Sequence, residues 1–221
     1  MICLQGGAEF GEACREMDAD LLRRAGAGPV VIIALAAATG REYDTATANG
    51  IRHFRSLGAP AVGAPDARQD PAGAATAMQG AALVVLPGGS PARLLAALLE
   101  TGLADALRRH VAAGGALMGA SAGAMVLCEY TVLPRHRARL ASGLGLVPGC
   151  VVVPHYRGST DWSLPAGATV LGLPECAGLL IDAGMATAVG AAASSVADRS
   201  VPVGDTVPLP AGAAATPSGS S

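Results

Sequence analysis

Two patterns of hydrophobic and polar residues alternate along the first half of the chain. Continuous apolar runs are typical of strands buried on both faces, and apolar residues three or four apart are typical of amphipathic helices. The runs predict strands at residues 2–5, 29–37, 61–62 and 81–86, and a fifth that ends at Ser121. The helical spacing predicts helices at residues 9–25, 41–57, 70–80 and 103–113, and one opened by Ser90 and Pro91. This alternation predicts an α/β fold, with a doubly wound, mostly parallel sheet flanked by helices on both faces.

The second half of the chain is richer in predicted strands. They lie at residues 130–133, 150–153, 169–173, 178–181 and 186–189, with a basic stretch, Arg135, Arg137 and Arg139, after the first. Residues 210–221 contain only Ala, Gly, Pro, Thr and Ser, and such a segment cannot bury an apolar face. We therefore expect a single α/β domain at residues 1–209, followed by a disordered tail at residues 210–221.

Composition and charge narrow the possible partners. The chain has 221 residues, 51% hydrophobic and 3% aromatic, which suits one domain with an aliphatic core. Its net charge of −2 has no long run of one sign, so no nucleic-acid partner is expected. The apolar run at residues 30–38 is too short to span a bilayer and no signal peptide is recognised, so no membrane partner is expected. Five scattered cysteines without C-x-x-C predict buried thiols, a cytoplasmic location and no zinc site. The alanine-rich helix faces would tolerate a homodimer.

The main chemical signal is the pentad at residues 119–123, Gly-Ala-Ser-Ala-Gly, where a predicted strand turns sharply into a helix. This is the G-x-S-x-G pattern of a nucleophile elbow, in which glycines flank a strained serine. Ser121 is therefore the candidate nucleophile, and the amide of Ala122 at the helix start is a candidate oxyanion donor. The alternative is a tight turn that contains a serine by chance in a chain rich in Ala and Gly.

A serine hydroxyl needs a base to take its proton, and the chain has four histidines. His155 follows an apolar strand and is the preferred base, although a hydrogen-bonded structural histidine is the alternative. The other three fit different roles: His53 on a helix surface, His110 near a helix C-terminus and His136 in a polar loop.

The base in turn needs an acceptor that orients it. Glu175 directly follows an apolar strand, where a carboxylate is unusual, and it is the preferred third residue. Asp161, in the polar loop after His155, is its main rival. Asp182 is a weaker candidate, and Glu129 fits a solvated role.

A second oxyanion donor would come from a different loop. Gly88 and Gly89 follow the predicted strand at residues 81–86, and glycine there permits close approach of the backbone to a substrate. A simple helix-entry turn is one alternative. A phosphate cradle is another, but no lysine follows and the G-x-x-x-x-G-K-[ST] pattern is missing.

Together these segments resemble the peptidase E and cyanophycinase family of serine peptidases. The likeness covers residues 1 to about 190 and includes the elbow and the strand and loop at residues 84–89. It continues in GLGLVPG at residues 143–149, VVPHY at residues 152–156 and LGLPE at residues 171–175. The resemblance implies a class I glutamine amidotransferase-like fold.

The resemblance also implies roles for particular residues. Ser121 would be the nucleophile, His155 the base and Glu175 the third member of the triad, with oxyanion donors at Gly89 and Ala122. It implies no metal ion and no organic cofactor, and a small-molecule or short-peptide substrate. Serine at the elbow, where amidotransferases of this fold have cysteine, argues against ammonia transfer from glutamine.

Substrate contacts would fall on Gly88, Ser90, Tyr156 and Arg157. Family members specific for acidic peptides usually carry a polar pair before the histidine and Asn-Gln or Asp-Gln after the two glycines. This chain has Val-Pro and Ser-Pro at those places, and of the several arginines that usually follow the histidine only Arg157 remains. A less polar or differently shaped substrate is therefore implied.

We predict a serine hydrolase of the peptidase E type that cleaves an amide or ester bond through an acyl-enzyme on Ser121. Two alternatives stay open: an acyl-transferring or cyclising enzyme with the same site, and a non-catalytic binding module on this fold. A dinucleotide-binding protein is disfavoured, because the Gly-Gly after the first predicted strand lacks the G-x-G-x-x-G pattern.

Overall fold

The computed structural model describes residues 1–133, 139–160 and 162–209. The helices are α1 (Arg15–Ala25), α2 (Arg41–Ser56), α3 (Pro71–Ala77), α4 (Pro91–Glu100), α5 (Leu103–Ala112) and α6 (Ala122–Leu127). The strands of the first half are β1 (Ile2–Gln5), β2 (Val30–Ile32), β3 (Ala61–Gly63), β4 (Leu83–Leu86) and β5 (Ala116–Ala120). Those of the second half are β6 (Cys128–Leu133), β7 (Arg139–Ser142), β8 (Val147–Pro154), β9 (Thr169–Leu173), β10 (Ala177–Asp182), β11 (Met185–Gly190), β12 (Ser194–Val196), β13 (Arg199–Val201) and β14 (Thr206–Pro208).

The larger sheet has eight strands in the order β14-β11-β10-β1-β5-β4-β2-β3. Neighbours from β1 to β3 run parallel, whereas β10, β11 and β14 add antiparallel pairs on the other side of β1. Successive residues of the parallel strands point to opposite faces and join two separate buried clusters, so both faces are covered. The predicted α/β fold is confirmed.

A second sheet, which the sequence did not predict, has six strands in the order β13-β12-β9-β8-β6-β7. Its central strands β6, β8 and β9 pair in parallel, and the outer strands pair antiparallel. Helix α6 packs against β5 of the larger sheet and against β6 and β8 of the smaller one. Leu117 of β5 and Val151 of β8 belong to the same buried cluster, so the two sheets share a core.

Two predicted element boundaries differ from the structure by more than three residues. The helix predicted from residue 9 begins at Arg15 after a 3₁₀ turn, because Ala8 and Phe10 have φ angles of 55° and 65°, which a right-handed helix does not allow. The strand predicted at residues 29–37 ends at Ile32, although residues 33–36 are also fully buried. The apolar run indicates which residues are buried, and burial continues beyond the end of the strand.

The strands that sequence reasoning missed are short and partly polar. β7, β12, β13 and β14 have three or four residues each, and β7 and β13 are mostly exposed. Arg139 of the predicted basic stretch begins β7. The rest of that stretch and the tail predicted at residues 210–221 lie outside the described residues.

His53 is not on the surface, and that prediction is wrong. Its side chain is 4% exposed, and its Nε2 lies 2.7 Å from Oδ2 of Asp18, which is fully buried on α1. Gln5 Nε2 also donates to Asp18 Oδ1, at 3.4 Å. The arginines beside His53 suggested a polar helix face, but the carboxylate on α1 gives the ring a buried partner.

The cysteines are free thiols, and four of the five are buried. Burial raises the pKa of the Cys3 and Cys128 thiols far above the usual range, which keeps them protonated. Across the described ranges no helix combines the length and apolarity that a bilayer crossing requires.

Candidate active site

Ser121 lies at the junction of β5 and α6. Its φ of 48° and ψ of −108° are unusual for a residue with a side chain, as expected at a nucleophile elbow. A Cβ on Gly119 would collide with the backbone of Gly123, and one on Gly123 would collide with the carbonyl oxygen of Leu86. The Ser121 N–H donates to the Gln5 carbonyl at 2.9 Å. The elbow predicted from the pentad is therefore formed, and both glycines are required by close backbone approach.

The side chains of Ser121, His155 and Glu175 lie in one hydrogen-bonded row. Ser121 Oγ is 2.9 Å from His155 Nε2, and His155 Nδ1 is 3.0 Å from Glu175 Oε1. The His155 and Glu175 side chains are 49% and 58% exposed, so the row is open to solvent. The structure thus brings together the three residues that sequence analysis placed at separate strand ends.

Neighbouring strands of the smaller sheet position the His155 imidazole and the Glu175 carboxylate. His155 follows β8 and Glu175 follows β9, and these parallel strands end side by side, with Pro154 opposite Leu173. Polar residues placed after parallel strands meet at the same edge of a sheet. This arrangement explains how residues far apart in sequence come within hydrogen-bond distance.

The segment after β1 fixes the backbone of these loops. The Gly6 carbonyl accepts the His155 N–H at 2.9 Å, and the Gly7 carbonyl accepts the N–H of Cys176, next to Glu175, at 3.0 Å. A side chain on Gly7 would overlap the His155 imidazole. Gly7 therefore serves the site by letting the His155 imidazole approach the backbone.

The predicted oxyanion residues are Gly89, in the loop between β4 and α4, and Ala122, the first residue of α6. A Cβ on Gly89, whose φ is 137°, would lie 2.8 Å from the Ala36 carbonyl oxygen, so only glycine fits. Within the described ranges the Gly89 amide has no hydrogen-bond acceptor. The Ala122 amide is the first of α6 and has no acceptor within the helix. The Gly88 amide, by contrast, donates to Glu9 Oε1 at 2.6 Å.

Glu9 is a site residue that sequence reasoning missed. The sequence predicts it at the start of a helix, but it lies in the loop after β1, beside the loop that contains Gly88 and Gly89, here called the glycine loop. The available signal was its position just after the first predicted strand, because that strand ends at the same edge of the sheet as the strand leading to Ser121.

The predicted substrate contacts are arranged differently from one another. The Ser90 hydroxyl caps α4 and accepts the Arg93 N–H at 3.3 Å. Tyr156 and Arg157 line a cavity of about 390 Å³ that also includes Pro174, the residue before Glu175. Tyr156 and Arg157 directly follow His155 in the chain, but Ser121, His155 and Glu175 do not line their cavity. The Ser90 side chain already has a structural role.

The two weaker acid candidates do not join the row. Asp182, at the end of β10, lies beside the start of β1 because these strands are antiparallel, at the edge opposite Ser121. Glu129 accepts the Gly149 N–H at 2.8 Å, and this hydrogen bond lowers the pKa of its carboxyl. Asp161, the main rival of Glu175, lies outside the described residues.

The remaining predicted features are two histidines and the expected lack of a metal site. His110 lies near the end of α5, and its Nε2 is 2.9 Å from the carbonyl oxygen of Ala116 in β5. His136 lies outside the described residues. In the part of the chain that the structure describes, no three His, Cys, Asp or Glu side chains are grouped to hold a metal ion.

Comparison with solved structures places the fold among peptidases. The chain is similar to a peptidase from an acI-B1 Actinobacterium, with a TM-score of 0.80 and 24% identity over 94% of this chain and 96% of that one. It is also similar to a putative peptidase E protein from Listeria monocytogenes EGD-e, with a TM-score of 0.63 and 15% identity over 86% of this chain and 98% of that one. At these identities the likeness shows the fold alone.

Sequence comparison gives a shorter match and a longer one. The chain is 36% identical over 73 residues to the imidazole glycerol phosphate synthase subunit HisH of Nitratidesulfovibrio vulgaris, which covers 33% of this chain and about a third of that protein (32%). The model of peptidase family S51 matches residues 3–189, which is most of the chain. The chain therefore belongs to peptidase family S51, as the resemblance of its motifs indicated.

Proposed function

We propose that this protein is a serine hydrolase of the peptidase E type, which cleaves an amide or ester bond through an acyl-enzyme on Ser121. The observation that carries the proposal is the unbroken row from Ser121 Oγ through both ring nitrogens of His155 to Glu175, with distances of 2.9 and 3.0 Å. Membership of a peptidase family supports the same reaction class.

In the proposed acylation, the Ser121 hydroxyl donates its proton to His155 Nε2 while Oγ attacks the substrate carbonyl carbon. The His155 Nδ1–H donates to Glu175, which holds the tautomer that leaves Nε2 free to accept and stabilises the imidazolium. Collapse of the tetrahedral intermediate breaks the bond to the leaving group, and His155 gives that group its proton. The acyl-enzyme and the first product result.

Deacylation uses the same groups with water as the nucleophile. His155 takes a proton from water, the hydroxide attacks the ester carbonyl, and the proton returns to Ser121 Oγ as the acid product leaves. The open position of His155, at 49% exposure, leaves room for that water.

The negative charge of each tetrahedral intermediate would be held by the amides of Gly89 and Ala122. Both N–H groups lie beside the elbow without an acceptor in the described residues, as an oxyanion hole requires. We further propose that the backbone of Gly88 and the side chains of Tyr156 and Arg157 contact the substrate. Ser90 would contribute through its backbone, because its hydroxyl caps α4.

A substrate screen with matched variants tests the proposal. A library of short peptides and activated esters identifies a cleaved substrate, and kcat/KM is then measured for the wild type, Ser121→Ala and Ser142→Ala. Ser142 is an exposed serine at the end of β7 and serves as the control. We expect Ser121→Ala to lower kcat/KM by about 10⁴-fold or more and Ser142→Ala to leave it unchanged. Full activity of Ser121→Ala would overturn the proposal.

A further inference from the structure

Glu9 places a carboxylate at Gly88, whose loop passes beside Ser121. The point at which a Gly88 side chain would begin lies 2.8 Å from Glu9 Oε1 and 3.3 Å from Ser121 Cβ. Glu9 Oε1 and Ser121 Cβ therefore both lie close to this one point beside Gly88. The Gly88 N–H fixes the carboxylate there with a hydrogen bond of 2.6 Å, a length typical of a charged acceptor.

The carboxylate has no positive partner among the described side chains. No arginine or histidine nitrogen of those residues lies within 4.0 Å of it, and the chain contains no lysine. Only Oε1 has a hydrogen-bond donor within the described ranges, so Oε2 is available to a ligand. Glu9 is half-buried, which weakens the screening of its charge by water.

A carboxylate near Ser121 that forms no ion pair opposes the proposed reaction. The negatively charged oxygen of the tetrahedral intermediate would lie at the amides of Gly89 and Ala122, and two like charges at close range repel each other. A positive charge on the substrate would remove this cost and form a charge-assisted hydrogen bond with Oε2. The chemistry that fits this position is an ammonium or guanidinium group.

We propose that Glu9 is a specificity-determining residue that binds a positively charged group on the acyl part of the substrate. The acyl part is indicated because the leaving group departs toward His155, which protonates it, whereas Glu9 is anchored to the glycine loop. The inference rests on the proposed function, since it requires acylation at Ser121. The positive group is either the α-ammonium or a basic side chain.

The experiment uses probes that react with an active-site serine without needing turnover. Diphenyl α-aminoalkylphosphonates lose phenoxide as the serine oxygen bonds to phosphorus, and they carry the acyl side chain of a substrate. Four probes combine a guanidinium or an isosteric urea side chain with a free or acetylated α-amino group. The second-order rate constant for modification of Ser121 is measured by intact mass for each probe.

Two variants separate the effect of the Glu9 charge from the effect of its side-chain shape. Glu9→Gln keeps an oxygen that can accept the Gly88 N–H and removes only the negative charge. Glu12→Gln removes the same charge from a side chain that is 91% exposed and pairs with Arg15, and it is the matched control.

We expect at least one cationic probe to react about 10- to 100-fold faster than its neutral counterpart in the wild type and in Glu12→Gln. In Glu9→Gln that preference falls to about one, and the neutral probe keeps its rate. A guanidinium preference assigns the charge to a side chain, and a free-amine preference assigns it to the α-ammonium.

Three results overturn the inference. The first is an equal rate for cationic and neutral probes in the wild type, and the second is a preference that survives in Glu9→Gln. The third is equal slowing of all four probes in Glu9→Gln, because that would show only that Glu9 positions the loop. A small fluorophosphonate separates this inference from the proposed function: if it labels Ser121 while no cationic preference is seen, only the role of Glu9 fails.

Discussion

Three residues of the site adopt backbone conformations that are rare for residues with a side chain. Ser121, His155 and Cys176 have φ angles of 48°, 51° and 54°. Such conformations cost about 1–3 kcal/mol each and persist where the surroundings fix them. Here the amide of each donates to a carbonyl of residues 5–7, the end of β1 and the loop after it. That short segment therefore fixes all three loops of the candidate site.

Gly7→Ala tests this arrangement. The new Cβ would overlap the His155 ring, so we expect the ring to move away from Ser121 and kcat/KM to fall by about 100-fold. Gly26→Ala is the control, because Gly26 also has a positive φ, 83°, but faces open space. Equal activity of the two variants in a steady-state assay would show that the ring does not depend on Gly7.

Glu175→Gln tests the acceptor of the row. The loss of its charge weakens stabilisation of the His155 imidazolium, and we expect kcat to fall by about 10- to 100-fold. The effect should be smaller than for a buried triad carboxylate, because Glu175 is 58% exposed and water screens its charge. An unchanged kcat, measured at saturating substrate, would remove Glu175 from the mechanism.

Single residues show where sequence reasoning succeeds and where it stops. The elbow at Ser121 was predictable because a local pattern of glycines indicates a sharp turn from strand to helix. The position of His155 and Glu175 near Ser121 was predictable because both follow apolar strands. Their catalytic roles stay predictions. Glu9 and His53 were misplaced, because their positions depend on partners distant in sequence: Gly88 for Glu9 and Asp18 for His53.

At the scale of elements, the buried hydrogen bond between Asp18 and His53 joins α1 to α2 in the core. His53→Ala leaves the Asp18 carboxylate buried without its partner, and we expect it to lower the free energy of unfolding by about 3–5 kcal/mol at pH 8. Urea unfolding followed by circular dichroism measures this. The double variant Asp18→Asn/His53→Ala, which carries no buried charge there, should recover part of the loss.

The loss of stability in His53→Ala should depend on pH. Burial raises the pKa of Asp18, and His53 opposes this, so removing His53 raises the pKa further. The folded variant then binds this proton more tightly than the unfolded chain, so stability is gained as pH falls and lost as pH rises through the raised pKa. The difference from the wild type should therefore be smaller at pH 5 than at pH 8. A difference that widens at pH 5 would contradict this sign.

The elements themselves were predictable to different degrees. Long amphipathic helices show apolar residues at helical spacing, and buried parallel strands show continuous apolar runs. The Ser90 cap marked the start of α4 correctly. The strands β7, β12, β13 and β14 are too short and too polar to show either pattern. Their strand conformation comes from pairing with neighbours brought close by the fold, which a single segment of sequence does not encode.

At the scale of the whole molecule, the candidate site depends on both sheets. The larger sheet carries Ser121 at the end of β5, and the smaller sheet carries His155 and Glu175. The shared core, in which α6 packs between the sheets, fixes their relative position. The second sheet was not predicted, yet it supplies two of the three side chains in the row.

We therefore expect residues 1–209 to unfold as one unit. Fluorescence of Trp162, the single tryptophan, reports on the shared core near the smaller sheet, and far-ultraviolet circular dichroism reports mainly on the helices. The two thermal transitions should coincide. Truncation after Leu209 removes no large apolar side chain, and we expect it to change Tm by less than about 2 °C. Separate transitions would show two independent domains.

The central claim, that Ser121 is a nucleophile activated by His155, is tested most directly by fluorophosphonate labelling of the intact protein followed by mass spectrometry. We expect one adduct per chain, located on Ser121, absent from Ser121→Ala and formed at least about 100-fold more slowly in His155→Gln. A folded protein that gains no adduct, or an adduct whose rate does not depend on His155, would contradict the claim.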